Sequence, residues 1–253
     1  MRILFLVYHG FSEASGISKK INCQVKGLRQ NGHDVRVCYY TFSSSGHRCR
    51  YVGDDVIADY GKGRMAALRS RVGYGCIYKY CKDNAVDFVY TRSFMNANPW
   101  LIRLFGRLRR SGIRAVTEIP TYPYDGEFVG FPFTARLGLF VDRIFRRSLA
   151  ARMSAMVTFS DATEIFGQRT VNISNGVDFD SIPLHCLCPQ DGGIHLIGVA
   201  EVHYWHGFDR VIAGLGEYYA TEKNPRDVFF HIVGGVAPSE MPSSVHPPGF
   251  AEP

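Results

Sequence analysis

The fold class follows from the first forty residues, which open with the continuous apolar run Ile3-Leu4-Phe5-Leu6-Val7. Apolar residues then recur at helical spacing from Ile21 to Leu28, up to the helix stop Asn31-Gly32. A second apolar run, Val35-Arg36-Val37-Cys38-Tyr39, is typical of a strand. Strand, helix and strand in this order form a βαβ unit, which predicts a parallel sheet covered on both faces.

The alternation continues to about residue 173 and predicts a doubly wound Rossmann-like domain. Residues 43–62 are rich in Ser, Gly and charge, and predict a loop with at most one short strand. The elements predicted after this loop are a helix from Arg64 to Asp83, a strand from Val86 to Tyr90, a helix from Trp100 to Arg110, a strand from Ala115 to Ile119, a helix from Phe133 to Ala151, a strand from Ala155 to Ser160 and a short strand from Val171 to Ile173.

A second α/β domain begins late in the chain. Residues 179–193 hold prolines and glycines and predict a linker between a first domain, 1–178, and a second, 194–253. The sequence predicts that the second domain consists of a strand that begins at Ile194, a helix from Gly207 to Ala220 and a strand from Val228 to Val233. One βαβ unit of about 60 residues cannot bury a core alone. We therefore expect this domain to be incomplete and its two strands to expose apolar side chains.

The composition limits which binding partners and which cellular compartment we expect for this protein. The formal charge of +6 suits an anionic partner, but no nucleic-acid-binding motif is present. Seven irregularly spaced cysteines, Cys186 and Cys188 included, predict reduced thiols without a zinc site, and the first residues do not form a secretory signal. We expect a cytoplasmic protein. Asp178-Phe179-Asp180 follows the turn dipeptide Asn175-Gly176, and we interpret it as a turn that binds no metal.

Four segments together resemble the bacterial glycosyltransferase family 4 proteins, which have the GT-B fold. They are Gly10 to Lys20, Glu118 to Asp125, Ile173 to Asp178 and Gly198 to Arg210. The resemblance implies two Rossmann-like domains facing a cleft, with the acceptor bound by the first and most of the nucleoside-diphosphate-sugar donor by the second. It also implies transfer with retention of configuration and no metal cofactor.

The leading hypothesis is thus a hexosyl-type glycosyltransferase, truncated in its second domain, that acts on a saccharide or lipid-linked acceptor in surface polysaccharide biosynthesis. The family's paired glutamates would fall beyond Pro253. A second hypothesis is therefore a catalytically incomplete acceptor-binding or scaffold protein derived from such an enzyme. A third is an unrelated Rossmann-like nucleotide-binding protein, against which the absence of Gly-x-Gly-x-x-Gly after the first strand argues.

The candidate donor-binding residues are Gly16, Ile17, His206 and Gly207. Gly16 lies between a strand and a helix, where a diphosphate can approach the backbone and the helix N-terminus favours negative charge. The alternative is that Gly16 only forms an ordinary turn between the strand and the helix and contacts no phosphate. Many family members carry an Arg and, six residues on, a Lys at the positions of Ala200 and His206. Because this chain has neither cation, the resemblance gives only weak support for a phosphate-binding role at these two positions.

The candidate acceptor-binding residues follow two strands, where ligand sites gather in open α/β sheets. They are Arg92, Thr121, Tyr122, Tyr124 and Asp125. The guanidinium fork of Arg92 suits a bidentate anion, although a structural pair with an acid is an equal alternative. For Thr121, Tyr122, Tyr124 and Asp125, the alternative to acceptor binding is a rigid loop whose tyrosines belong to the core. Glu118 is the candidate functional carboxylate, without an assigned role as a base.

The segment around residues 131–152 is both basic and amphipathic. Its cations are Arg136, Arg143, Arg146, Arg147 and Arg152, and they mix with large apolar residues. Such a segment suits peripheral contact with an anionic membrane surface at the inner face of the membrane. An ordinary helix with its apolar side on the sheet and its arginines in water is the alternative.

Overall fold

A computed structural model describes residues 1–11, 16–92, 96–128, 133–182, 192–200 and 206–234. The chain divides into two compact units, Met1–Ser181 and Ile182–Pro253. Within the described ranges, none of the helices combines the length and apolarity that crossing a bilayer requires.

The first unit alternates strands and helices along most of its length. Its elements are β1 (Arg2–Leu6), α1 (Gly16–Gln30), β2 (Asp34–Phe42), β3 (Arg48–Val52), β4 (Asp55–Asp59), α2 (Gly63–Val72), α3 (Gly75–Asp83), β5 (Phe88–Arg92), α4 (Pro99–Arg110), β6 (Arg114–Ile119), α5 (Phe133–Ala150), β7 (Ala155–Thr158), β8 (Glu164–Ile165) and β9 (Gln168–Asn172).

These strands form one nine-stranded sheet in the order β4-β3-β2-β1-β5-β6-β7-β9-β8. Six neighbouring strands, from β2 to β9, are parallel, while β3, β4 and β8 pair antiparallel at the two edges. The chain leaves β1 for β2 on one side and returns to β5 on the other. The strand order therefore reverses between β1 and β5, and this switch point is where open α/β sheets bind ligands.

The two faces of β1 pack against different helices because successive side chains of a strand point to opposite faces. Ile3 and Phe5 pack with Ile21 and Val25 of α1. On the opposite face, the larger core cluster contains Leu4 together with buried residues of α3, α4 and α5. The parallel sheet is thus covered on both sides, as its apolar strands predict.

The structure differs from the sequence predictions mainly near the β2 edge. Residues 43–62 form a two-stranded extension, β3 and β4, where a loop with at most one short strand was expected. The helix predicted from Arg64 to Asp83 is two helices, α2 and α3. They break at Gly73, whose backbone lies against Tyr60: an added Cβ would stand 2.8 Å from the Tyr60 ring, and the Tyr60 hydroxyl donates to the Gly73 carbonyl at 2.8 Å.

In its described residues, the second unit forms a βαβ motif made of β10 (Ile194–Val199), α6 (Phe208–Thr221) and β11 (Val228–Val233), with its two strands parallel. Gly198 permits close packing of α6, since a Cβ there would lie 2.8 Å from the Phe208 ring. Large apolar residues on both strands are exposed, among them Ile197 at 67% and Val199 at 75%. This exposure is what the sequence predicts.

Candidate functional site

Glu118 lies at the end of β6, one strand away from the switch point. It shares a face of the strand with Val116, which packs with Tyr90 of β5 on the side of the sheet that α1 covers. The carboxylate is fully buried. A carboxylate without access to water must be paired and hydrogen-bonded, so its partners define the chemistry of this region.

Four side chains surround this carboxylate. Arg92 Nε donates to Glu118 Oε1 at 2.8 Å, and Lys20 Nζ lies 3.7 Å from the same oxygen. The Tyr90 hydroxyl and Gln24 Nε2 donate to Oε2 at 2.6 and 2.8 Å. We call these five residues the switch-point cluster. Three elements build it: α1 supplies Lys20 and Gln24, β5 supplies Tyr90 and Arg92, and β6 supplies Glu118.

The switch-point cluster carries surplus positive charge. Lys20 and Arg92 are two cations around one carboxylate, which leaves a formal charge of +1. Partial burial lowers the pKa of Lys20, while the carboxylate of Glu118 opposes that shift. The ammonium also lies 3.7 Å from the ring centroid of Phe159. Both cations keep some exposure, 23% for Lys20 and 11% for Arg92, so an anion can reach them.

The Glu118 carboxylate contacts the other four residues of the cluster and has no contact with solvent. Both oxygens of Glu118 already accept hydrogen bonds, and burial together with Glu118 raises the pKa of Tyr90, which keeps its hydroxyl a donor. This geometry suits a carboxylate that positions Arg92 and Lys20. Gln24 Oε1 is buried and has no hydrogen-bond partner, and it remains available to a small donor such as water.

Gly16 and Ile17, two of the predicted donor-binding residues, form the first turn of the helix that carries Lys20. Ile17 is 50% exposed. Among the described residues, chain neighbours and the helix's own backbone aside, none has an atom within 4 Å of a Cβ added at Gly16. Packing therefore does not require glycine at position 16. Contact of either residue with a donor stays a prediction. Residues 12–15 lie outside the described ranges.

The loop after β6 holds Thr121, Tyr122, Tyr124 and Asp125, which the sequence proposes as acceptor-binding residues. Thr121 is exposed. Tyr122 is half-buried, and its ring packs edge-on against that of Phe166, with the two centroids 5.7 Å apart. Tyr124 is only 2% exposed. Of these tyrosines, only Tyr122 retains surface that an acceptor could contact.

Tyr124 and Asp125 tie the loop to α5. The Tyr124 hydroxyl donates to Asp142 Oδ2 at 2.6 Å, inside the core. Asp125 accepts from Arg146 at 2.7 Å and from Arg143 at 3.1 Å. The bond from Arg146 holds the pKa of the Asp125 carboxyl below its usual range. These contacts hold both residues in the fold, and contact of either one with an acceptor stays a prediction.

In the second unit, the predicted donor-side residues lie at the start of α6. His206 is exposed and its ring stacks 5.8 Å from that of Phe208. Gly207 caps the helix with φ of 69°, a left-handed conformation that favours glycine. Ala200, just after β10, contributes no charge. Residues 201–205, which precede His206, lie outside the described ranges.

The Asp-x-Asp segment lies beside α1. Asp178 accepts from Lys26 at 2.7 Å, Asp180 lies 3.6 Å from the same ammonium, and a 3-10 turn runs over Phe179–Ser181. Across the ranges that the structure describes, His, Cys, Asp and Glu side chains do not gather in groups of three or more that could hold a metal ion.

Three members of the switch-point cluster, Lys20, Gln24 and Tyr90, are absent from the sequence-based candidates. The last two carry a positional signal that could have found them. Gln24 is one helical turn after Lys20 on the same helix face, and Tyr90 is two residues before Arg92 on the same strand face.

Comparison with known proteins informs the fold. No protein-family model matches the sequence, and no curated protein matches it. Over 91% of its length, the chain matches the solved structure of an alpha-glucosyltransferase in complex with UDP and a 13-mer DNA containing a central A:G mismatch, with a TM-score of 0.50 and 16% sequence identity. It covers 55% of that chain, so it spans about half the length of the structure it matches.

A chitinase from Chromobacterium violaceum ATCC 12472 also matches, with 13% identity, a TM-score of 0.33, and coverage of 64% of this chain and 57% of that chain. This likeness is too low to inform the fold. The match to the glucosyltransferase shows that the chain has an α/β fold, with a large parallel sheet, of the kind found in a glycosyltransferase. Membership of family 4 and retention of configuration remain predictions.

Proposed function

We propose that this chain belongs to a glycosyltransferase that moves a sugar from a nucleoside-diphosphate sugar to a saccharide or lipid-linked acceptor, with retention of configuration and without a metal. The reaction would take place in the cytoplasm, at the inner face of the membrane, in surface polysaccharide biosynthesis. The observation that carries the proposal is the surplus positive charge of the switch-point cluster. The likeness to an alpha-glucosyltransferase solved in complex with UDP supports it.

In this proposal the switch-point cluster binds an anionic group of a substrate. Arg92 offers a planar guanidinium fixed by Glu118, and Lys20 offers an ammonium 3.7 Å from the same carboxylate. Cations held in place before the substrate arrives stabilise charge without reorganising, which is how preorganised sites favour a departing diphosphate. Glu118 is then a positioning residue, and Thr121 and Tyr122 provide the surface for the acceptor.

A matched pair of lysine variants tests the proposal. Lys20 belongs to the cluster, whereas the adjacent Lys19 is exposed and lies outside it. Lys20→Met should weaken UDP binding, measured by calorimetry, at least tenfold, since the loss of one charge-assisted contact is worth about 1.4 kcal/mol or more. Lys19→Met should change binding less than about twofold. Equal losses in the two variants would mean that general surface charge, and not the cluster, attracts the anion.

Turnover requires a separate measurement. Nucleoside diphosphate released from UDP-, GDP- and ADP-sugars would be followed with saccharide, lipid-linked and DNA acceptors. A short DNA duplex is included because the similar glucosyltransferase was solved with DNA. Acceptor-dependent release identifies the donor and the acceptor together.

A non-enzymatic acceptor-binding or scaffold protein is the second candidate function. One observation favours it: Ala200 brings no charge and His206 is exposed, where the resemblance expects two fixed cations. Acceptor binding by this chain, together with no release of diphosphate from any sugar nucleotide, would support the scaffold and reject the enzyme.

A further inference from the structure

The outward face of α5 is apolar. Phe133, Leu137, Phe140 and Ile144 follow one another at spacings of four, three and four residues, which places them on one side of the helix. Their exposed fractions are 77%, 50%, 60% and 55%. Isolated exposed apolar residues are ordinary, but four large ones in a row on one helix face form a patch that water solvates poorly. We call these four residues the α5 stripe.

The α5 stripe is not the side by which the helix packs onto the sheet. Leu139, Asp142 and Ala150 are buried, and Asp142 accepts from the Ala97 amide at 2.9 Å. The core therefore already uses a second, different face of α5. An amphipathic helix that only covered a sheet would place polar residues where the α5 stripe lies.

Arginines flank the α5 stripe. Arg136, Arg143 and Arg147 are spaced by seven and four residues, so they share one side of the helix, and all three are exposed. Arg143 also reaches Asp125 at 3.1 Å. The one acidic residue in α5 is Asp142, which is buried. The outward-facing residues of the helix itself are thus apolar or cationic, and the nearby carboxylate of Asp125 is already paired with two of the arginines.

Positive charge continues onto the neighbouring helix. An open groove of about 490 Å³ lies between α4 and the end of α5, and its lining includes Arg103, Arg109, Arg110 and Arg152 but no acidic residue. A partner of this part of the first unit must therefore be anionic as well as apolar.

We propose that α5 lies in the plane of an anionic lipid bilayer, with the α5 stripe among the acyl chains and the flanking arginines at the phosphate level. A helix with one apolar face and a row of cations beside it has the pattern of interfacial membrane helices. Basic residues near a bilayer are attracted by anionic lipid over about one Debye length. A second copy of the chain would bring the same arginines against each other, which disfavours self-association as the cover for this face.

Membrane docking stands independently of the proposed sugar transfer. If both hold, docking brings the first unit to the surface that carries a lipid-linked acceptor. The docking test below uses no sugar nucleotide, so its result and the result of the turnover assay are separate.

The experiment is co-sedimentation of the full chain with vesicles of phosphatidylcholine alone or with about one third phosphatidylglycerol, at low and high salt. The wild-type chain should sediment with the anionic vesicles at low salt, and high salt should reduce the bound fraction. Phe140→Ser/Ile144→Ser should weaken the partition at least tenfold. The matched control is Met65→Ser/Leu68→Ser on α2, where both residues are also exposed, at 62% and 55%; it should change the partition less than twofold.

A second pair of variants tests the charge. Arg136→Gln/Arg147→Gln should lose most of the preference for anionic lipid, while Arg64→Gln/Arg69→Gln on α2 should keep it. Circular dichroism verifies that each variant is folded, which is expected because every substituted residue is exposed. Equal binding to neutral and anionic vesicles, or equal losses in test and control variants, would overturn the proposal. So would a wild-type dimer that binds no vesicles and dissociates on Phe140→Ser/Ile144→Ser.

Discussion

Replacing Glu118 with alanine should destabilise the first unit strongly, because it removes the one anion between two cations. The carboxylate is fully buried and accepts hydrogen bonds from Arg92, Tyr90 and Gln24. Alanine leaves these donors without an acceptor and leaves the 11%-exposed guanidinium of Arg92 without its counter-ion. Removing one partner of a buried ion pair typically costs about 3–5 kcal/mol.

This loss is large enough to measure in several ways. For a unit of about 180 residues, it corresponds to a Tm lower by roughly 6–20 °C. Urea unfolding followed by hydrogen exchange on peptides from β5 and β6 would assign the change to the first unit and not to the second. Glu164→Ala is the control, since Glu164 is exposed on β8, and surface substitutions usually stay within about 0.5 kcal/mol.

A double-mutant cycle separates the ion pair from simple loss of packing. Arg92→Ala in the Glu118→Ala background should cost less than it does in the wild-type chain, with a coupling of about 1–3 kcal/mol, because the cation is already unpaired. Additive costs would refute this account of the cluster. A cost below about 1 kcal/mol for Glu118→Ala would refute it as well.

Three further predictions concern neighbouring parts of the first unit. Tyr124→Phe removes the hydroxyl that donates to buried Asp142, so urea unfolding should show a loss of about 1–3 kcal/mol while acceptor affinity is unchanged. Asp125→Asn removes a carboxyl whose folded pKa is lowered by its arginine partners. That carboxyl contributes stability above its unfolded pKa of about 3.9, so the gap between the two chains should be constant from pH 5 to 7 and close as acid protonates it, as unfolding at stepped pH would show. Burial raises the pKa of Cys81 to about 12, so iodoacetamide at pH 8 should label half-buried Cys23 well before Cys81, with peptide mass spectrometry as the readout.

Much of the fold could be predicted from the sequence because its core strands are continuous apolar runs. The first run and the helix after it appear in the structure as β1 and α1, within two residues for the strand. The β3–β4 extension was missed because β3 contains a charged core residue. Arg50 is 2% exposed, and its guanidinium lies 5.5 and 5.9 Å from the ring centroids of Tyr74 and Tyr40. Hydropathy alone assigns such an arginine to a loop.

The sequence predicted the approximate location of the candidate site but not the contacts between its residues. Arg92 and Glu118 were found because each lies near the end of a predicted strand. Their pairing depends on β5 lying beside β6 with these two residues in register. No local pattern sets that register. The predicted end of the strand also hid this pairing. The sequence placed the end of β5 at Tyr90 and so assigned Arg92 to a loop, whereas the strand runs to Arg92.

The role of Lys20 decides whether the switch-point cluster is a binding site or only part of the core. A purely structural arrangement needs one cation for one carboxylate, and Arg92 already supplies it at 2.8 Å. Lys20 is 3.7 Å away and 23% exposed, so it lies farther from the carboxylate and closer to water than Arg92 does, and we expect it to contribute at most about 1 kcal/mol to stability. Lys20→Met should therefore leave the free energy of unfolding nearly unchanged while it removes the surplus charge and weakens anion binding. If Lys20→Met destabilises the unit as much as Glu118→Ala does, both cations serve the core and the positive charge is not held for a ligand.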